Sequence, residues 1–172
     1  MTKIKTYQTG VFLLEALIAI LVFSIGILAM VAMGATAISA QNDAQYRIEA
    51  ANLASDIIGK IWLNADREEL DNGYGNKLMV VKATTLATFE HQSTTSATDY
   101  CAFSGTASTN PIVTDWAAQI KTRTNLPGFQ DGMAQILVDT SAAGNNKVTV
   151  TVCWQAPADT RKRKHVLTSY IN

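Results

Sequence analysis

The pattern of apolar and polar positions divides the chain into a greasy opening and a mixed remainder. From Val11 the sequence runs Val-Phe-Leu-Leu-Glu-Ala-Leu-Ile-Ala-Ile-Leu-Val-Phe-Ser-Ile-Gly-Ile-Leu-Ala-Met-Val-Ala-Met33 and stays largely apolar to Ile38. About 20 such residues span a bilayer core, so 11–38 reads as a membrane-crossing helix whose only charge is Glu15. No turn signal follows. Helical spacing continues over 39–64, where Gln45, Glu49, Asn52, Asp56 and Lys60 form a polar stripe. Ala44, Ile48, Ala51, Ala54, Ile58, Ile61 and Trp62 form the opposing apolar face. Arg47 falls on that apolar side, where its stem can lie along apolar surface with its head in water. The prediction is one two-part helix from Val11 to about Asn64, roughly 80 Å long at 1.5 Å per residue.

Residues 65–172 read as a globular head. Asp66–Asn76 ends the helix with acidic residues and the turn-rich Asp71-Asn-Gly-Tyr-Gly-Asn76. Lys77–Thr85 fits either a strand or a helix extension. His91–Thr98 and Ser104–Pro111 read as loops. Thr114–Thr122 is predicted as a short helix with Thr114 as its cap and Trp116 and Ile120 on one face, stopped by Asn125-Leu-Pro-Gly128. The last third predicts a β-meander of Ala134–Asp139, a turn over Ser141–Asn146, Lys147–Gln155 and His165–Ile171. In the middle strand Val148, Val150, Val152 and Trp154 alternate with Thr149, Thr151, Cys153 and Gln155, so the first set should pack on the long helix. The fold class is α+β.

Formal charge is zero over 172 residues, which does not suggest a nucleic-acid binder driven by bulk charge. The two cysteines, Cys101 and Cys153, follow an export-type segment and read as one disulfide. The alternative is two free thiols in a cytosolic protein. Closing a loop of about 50 residues contributes at most about 4 kcal/mol in the chain-entropy model. His91 and His165 have no metal-ligand spacing, and no glycine-rich phosphate loop is visible. The reading is therefore a non-enzyme without cofactor or metal. Arg161-Lys162-Arg163-Lys164-His165 is the one charge run. It reads as a solvated hairpin tip, or as a contact for DNA, an anionic surface or a partner subunit.

The first 38 residues admit three readings. One is a plain membrane anchor. Another is a cleaved secretory signal ending at Ala35-Thr36-Ala37, although such signals have apolar cores of about 7–15 residues. The third joins every odd feature. A leader over 1–10, with Lys3, Lys5 and no acid, ends in Gly10; a cut there exposes Val11 and leaves 12 basic against 14 acidic residues.

Gly10-Val11-Phe12-Leu13-Leu14-Glu15 resembles the class III signal of type IV prepilins and pseudopilins, usually Gly-Phe-Thr-Leu-Ile-Glu. Gly10 matches the residue before the cut and Glu15 the fifth mature position; Val11 and Phe12 depart from it. Leu53-Ala-Ser-Asp-Ile57, Asp115-Trp116, Leu126-Pro-Gly128, Val148–Gln155 and Thr168–Asn172 are similar to minor pilins of the PilV type. The resemblance implies the type IV pilin fold, with the long helix packed on a C-terminal antiparallel sheet. It implies cleavage between Gly10 and Val11 by a prepilin peptidase, N-methylation of Val11, and Glu15 as an assembly contact. It further implies a minor pilin at or near the filament tip, supporting pilus biogenesis and the adhesion, twitching and DNA uptake that pili perform. The partners implied are other minor pilins, the major pilin and a tip adhesin. The chain would sit in the inner membrane with a periplasmic head before assembly, and in the pilus at the cell surface afterwards. Alternatives are an I-type minor pseudopilin of a type II secretion system and a membrane-anchored periplasmic enzyme.

Overall fold

The computed structural model describes residues 9–71, 73–123, 126–157 and 159–172, with the side chains at 9, 10 and 123 outside the description. The leader, with its two lysines, therefore lies outside the described residues as far as Gln8. Helix α1 runs Thr9–Asn64. The chain forms two compact units that divide between Asn42 and Asp43.

In the first unit every residue from Val11 to Asn42 is exposed. A helix that is apolar on all sides matches a lipid or helix-bundle environment rather than water, and α1 is long and apolar enough to cross a membrane. Two of its hydroxyls are satisfied within the helix. Ser24 Oγ donates to the Ile20 carbonyl at 2.7 Å and Thr36 Oγ1 to that of Ala32 at 2.9 Å. Such internal bonding is what a bilayer core demands of hydroxyls.

The second unit begins within α1 and is α+β. Strands β1 (Arg67–Asp71) and β2 (Lys77–Val81) pair as an antiparallel hairpin. Helix α2 (Ala83–Ala87) follows, then the short strands β3 (Thr94–Thr95) and β4 (Phe103–Ser104), which pair with each other. Helix α3 (Pro111–Arg123) precedes a three-stranded antiparallel sheet of β5 (Ala134–Asp139), β6 (Lys147–Trp154) and β7 (Arg163–Tyr170), with β6 central.

The main core joins Ala50, Ala54, Ile57, Ile58 and Ile61 of α1 to Val113, Trp116 and Ile120 of α3 and to Val148, Val150, Val152 and Trp154 of β6. The alternation read in β6 is thus the one that buries it. Trp116 Nε1 donates to the Leu53 carbonyl at 2.9 Å and ties α3 to α1. The apolar face of α1 is the expected one at Ala54, Ile58 and Ile61 and differs from it nearer the first unit. Ala44 and Ile48 are exposed, while Tyr46, Ala50, Leu53 and Ile57 turn inward. Arg47 does not snorkel along that face. It is exposed and pairs with Asp43 at 3.2 Å, one turn earlier.

Several other stretches differ from the sequence reading or resolve what it left open. The acidic end of the helix becomes β1, and the undecided Lys77–Thr85 splits into β2 and α2. The loops around His91 and Ser104 contain β3 and β4. Helix α3 begins three residues before Thr114. Its cap is Asn110, whose Oδ1 accepts the Ile112 N–H at 3.0 Å, with Pro111 at the first helical position. The Asn125 part of its expected stop lies outside the described residues.

On the other face of the sheet a second small core gathers Cys101, Phe103, Met133 and Cys153. Gly132 lets the chains approach there. Its φ is +82°, and a Cβ would lie 2.8 Å from the Phe103 carbonyl oxygen, so a side chain would meet both backbone strain and a clash.

Candidate functional site

At the membrane-type end, Gly10 falls in the first turn of α1 and Val11 is exposed. Glu15 is also exposed, four residues beyond Val11. That spacing is one helical turn and sets both positions on one face. Among the described residues the Glu15 carboxylate enters no ion pair. The arrangement can bind a cation presented by another molecule.

Cys101 and Cys153 are bonded, with Cα atoms 5.9 Å apart, and both are fully buried. The bond links the segment before β4 to the central strand on the face opposite α1.

The basic run is drawn into the fold rather than standing free as a hairpin tip, because β7 begins at Arg163. The Arg163 guanidinium is held by both Asp159 oxygens, at 2.6 and 3.1 Å, and also pairs with Asp43 of α1. The Asp159 hydrogen bonds raise its pKa above the ordinary arginine value. Lys162 pairs with Asp99, and Tyr100 Oη donates to the Lys162 carbonyl. The hydrogen bond from Lys162, with the Cys101 N–H at 2.9 Å, holds the Asp99 carboxyl below its usual range. Lys164 lies 5.1 Å from the Tyr100 ring centroid, a cation–π distance. Arg161 is exposed and borders a shallow cleft with Asp99, Tyr100, Gln155, Thr160 and Lys162. The anions that engage this run were missed in the sequence reading. Asp43 and Asp99 lie far away in the chain, and Asp159 lies four residues before Arg163 outside any helix.

Elsewhere His91 is buried, and its Nδ1 accepts the Ser108 N–H at 3.1 Å. His165 lies on β7 opposite Val152. Among the described residues no three His, Cys, Asp or Glu side chains are grouped to hold a metal ion. The chain matches no protein-family model, no curated protein and no solved structure.

Proposed function

We propose that the chain is a minor pilin of the PilV type, an assembly subunit that primes or modifies a type IV pilus at or near its tip. The observation that carries this reading is the placement of Glu15. It is the single charge of a segment long and apolar enough to cross a membrane, one helical turn after Val11 and five residues after Gly10. The disulfide-bonded α+β unit that follows supports the same reading.

In this account a prepilin peptidase cuts after Gly10 and methylates the Val11 amine, which stays cationic. The apolar half of α1 holds the subunit in the inner membrane until it joins a bundle of like helices. There Glu15 of one subunit meets the Val11 ammonium of a neighbouring minor or major pilin. A carboxylate at the centre of a membrane helix costs about 2.5–3.5 kcal/mol, and less towards the ends. Once the pair is buried, loss of one partner costs about 3–5 kcal/mol. Glu15 therefore acts as a register device. A subunit shifted along the bundle leaves both charges unpaired.

Glu15→Ala is expected to insert into the membrane normally while its recovery in sheared filaments falls at least about tenfold. Normal recovery with normal filament number contradicts the assignment.

A further inference from the structure

The two edges of the three-stranded sheet are finished differently. On the β5 side, His91 and Ile136 exchange backbone hydrogen bonds at 3.0 Å each way, and Gln135 Nε2 donates to the Gln92 carbonyl at 2.7 Å. Among the described residues no segment pairs its backbone with the outer edge of β7, an eight-residue strand without proline, and Tyr100 reaches only its beginning, at Lys162 and Lys164.

The register shows which backbone groups are left there. Ile171 N donates to the Asn146 carbonyl at 3.1 Å, continuing the β6–β7 ladder as a hydrogen-bonded pair. Alternation along the antiparallel ladder then turns the backbone groups of Arg163, His165, Leu167 and Ser169 toward β6. Those of Lys164, Val166, Thr168 and Tyr170 turn outward. The same four side chains share the exposed face of the sheet, with Val166 45% and Tyr170 52% exposed. An edge of this length with outward donors and acceptors is a template for another strand.

We propose that β7 is a homotypic docking edge on which the β7 of a second copy of this chain pairs antiparallel across a two-fold axis at Leu167. In that register Lys164 faces Tyr170 of the second copy, Val166 faces Thr168, and Leu167 faces its own counterpart. Residues with outward backbone groups meet one another, as a ladder requires. β7 contains no carboxylate, and its cations never oppose each other in this pairing. Lys164 gains a second aromatic ring like the Tyr100 ring it already lies near. A parallel in-register pairing instead sets Lys164 beside Lys164, an antiparallel register shifted by one residue brings inward-turned groups to the contact, and one shifted by two takes Lys164 away from Tyr170. The β7 sequence is thus complementary to its own reverse in this register, and the pairing is independent of any processing at Gly10.

The test uses the full chain in detergent micelles. Sedimentation equilibrium is expected to show a monomer–dimer equilibrium. Thr168→Pro removes an outward N–H while leaving the β6 ladder intact, and should weaken self-association roughly tenfold or more with the head still folded. Leu167→Cys should form a disulfide-linked dimer under mild oxidation, because the two Cα atoms meet at a non-hydrogen-bonded pair about 4.5 Å apart. Val166→Cys should not, since its counterpart lies two residues off register. A monomer at every concentration overturns the proposal. So does a folded Thr168→Pro variant that dimerises like the parent, or equal cross-linking at both cysteine positions.

Discussion

His91 shows what a single residue can do that its neighbours in sequence do not announce. Burial lowers its pKa below the ordinary 6.5, and its Nδ1 is already engaged as an acceptor from Ser108. The folded state therefore holds the ring neutral, while the unfolded chain takes up a proton as the pH falls through about 6.5. The stabilisation is complete above that pH and is lost on acidification through the lower folded value. The melting temperature of the head is expected to fall between pH 7.5 and 5.5. His91→Asn should flatten that fall, because an amide oxygen can accept the same N–H and does not titrate. A profile unchanged by the substitution contradicts this role. Asp139 is held below its usual range by the Ser141 hydroxyl and N–H. With Asp99 it contributes in a separate, lower window, lost near and below pH 4. The sequence displayed His91 but not its partner, which lies seventeen residues later.

Among elements, those with a strong period were legible and those shaped by contact were not. β6 alternates because one face meets a core, and its inward residues were readable one by one. β1 is exposed at all five positions, so no alternation marks it, and its acidic composition reads as a helix end. The apolar face of α1 was read correctly at Ala54, Ile58 and Ile61 but not at Ala44 and Ile48, because small and aliphatic residues occur around much of its circumference. Tertiary packing added Ala50 and Ile57, with Tyr46 and Leu53 packed beside them. The Cys101–Cys153 bond was legible from an even cysteine count after an export-type segment, and its effect belongs to this scale. Cys101→Ala should destabilise the head by about 2–4 kcal/mol without altering processing at the N-terminus. A thermal melt unchanged by the substitution argues against the staple. The basic run divides in the same way. Arg163→Ala removes a group shared by Asp159 and Asp43 and should lower the melting temperature. Arg161→Ala, at an exposed position, should lower it less. Equal effects contradict the division of the run into a fastened and a free part.

At the scale of the whole molecule, sequence and structure agree on a long N-terminal helix followed by antiparallel sheets and a disulfide. What the proposed assembly role requires is not in one chain. The Glu15 carboxylate has no ion-pair partner among the described residues, and the account supplies one only from a second subunit and only after a bond is cut. That claim has a direct readout in the mass of the mature N-terminus. Intact-mass and N-terminal peptide analysis of the chain recovered from membranes or filaments is expected to give a protein that begins at Val11 and carries one N-methyl group. A protein that retains the first ten residues, or one that begins at Ile38, contradicts the account.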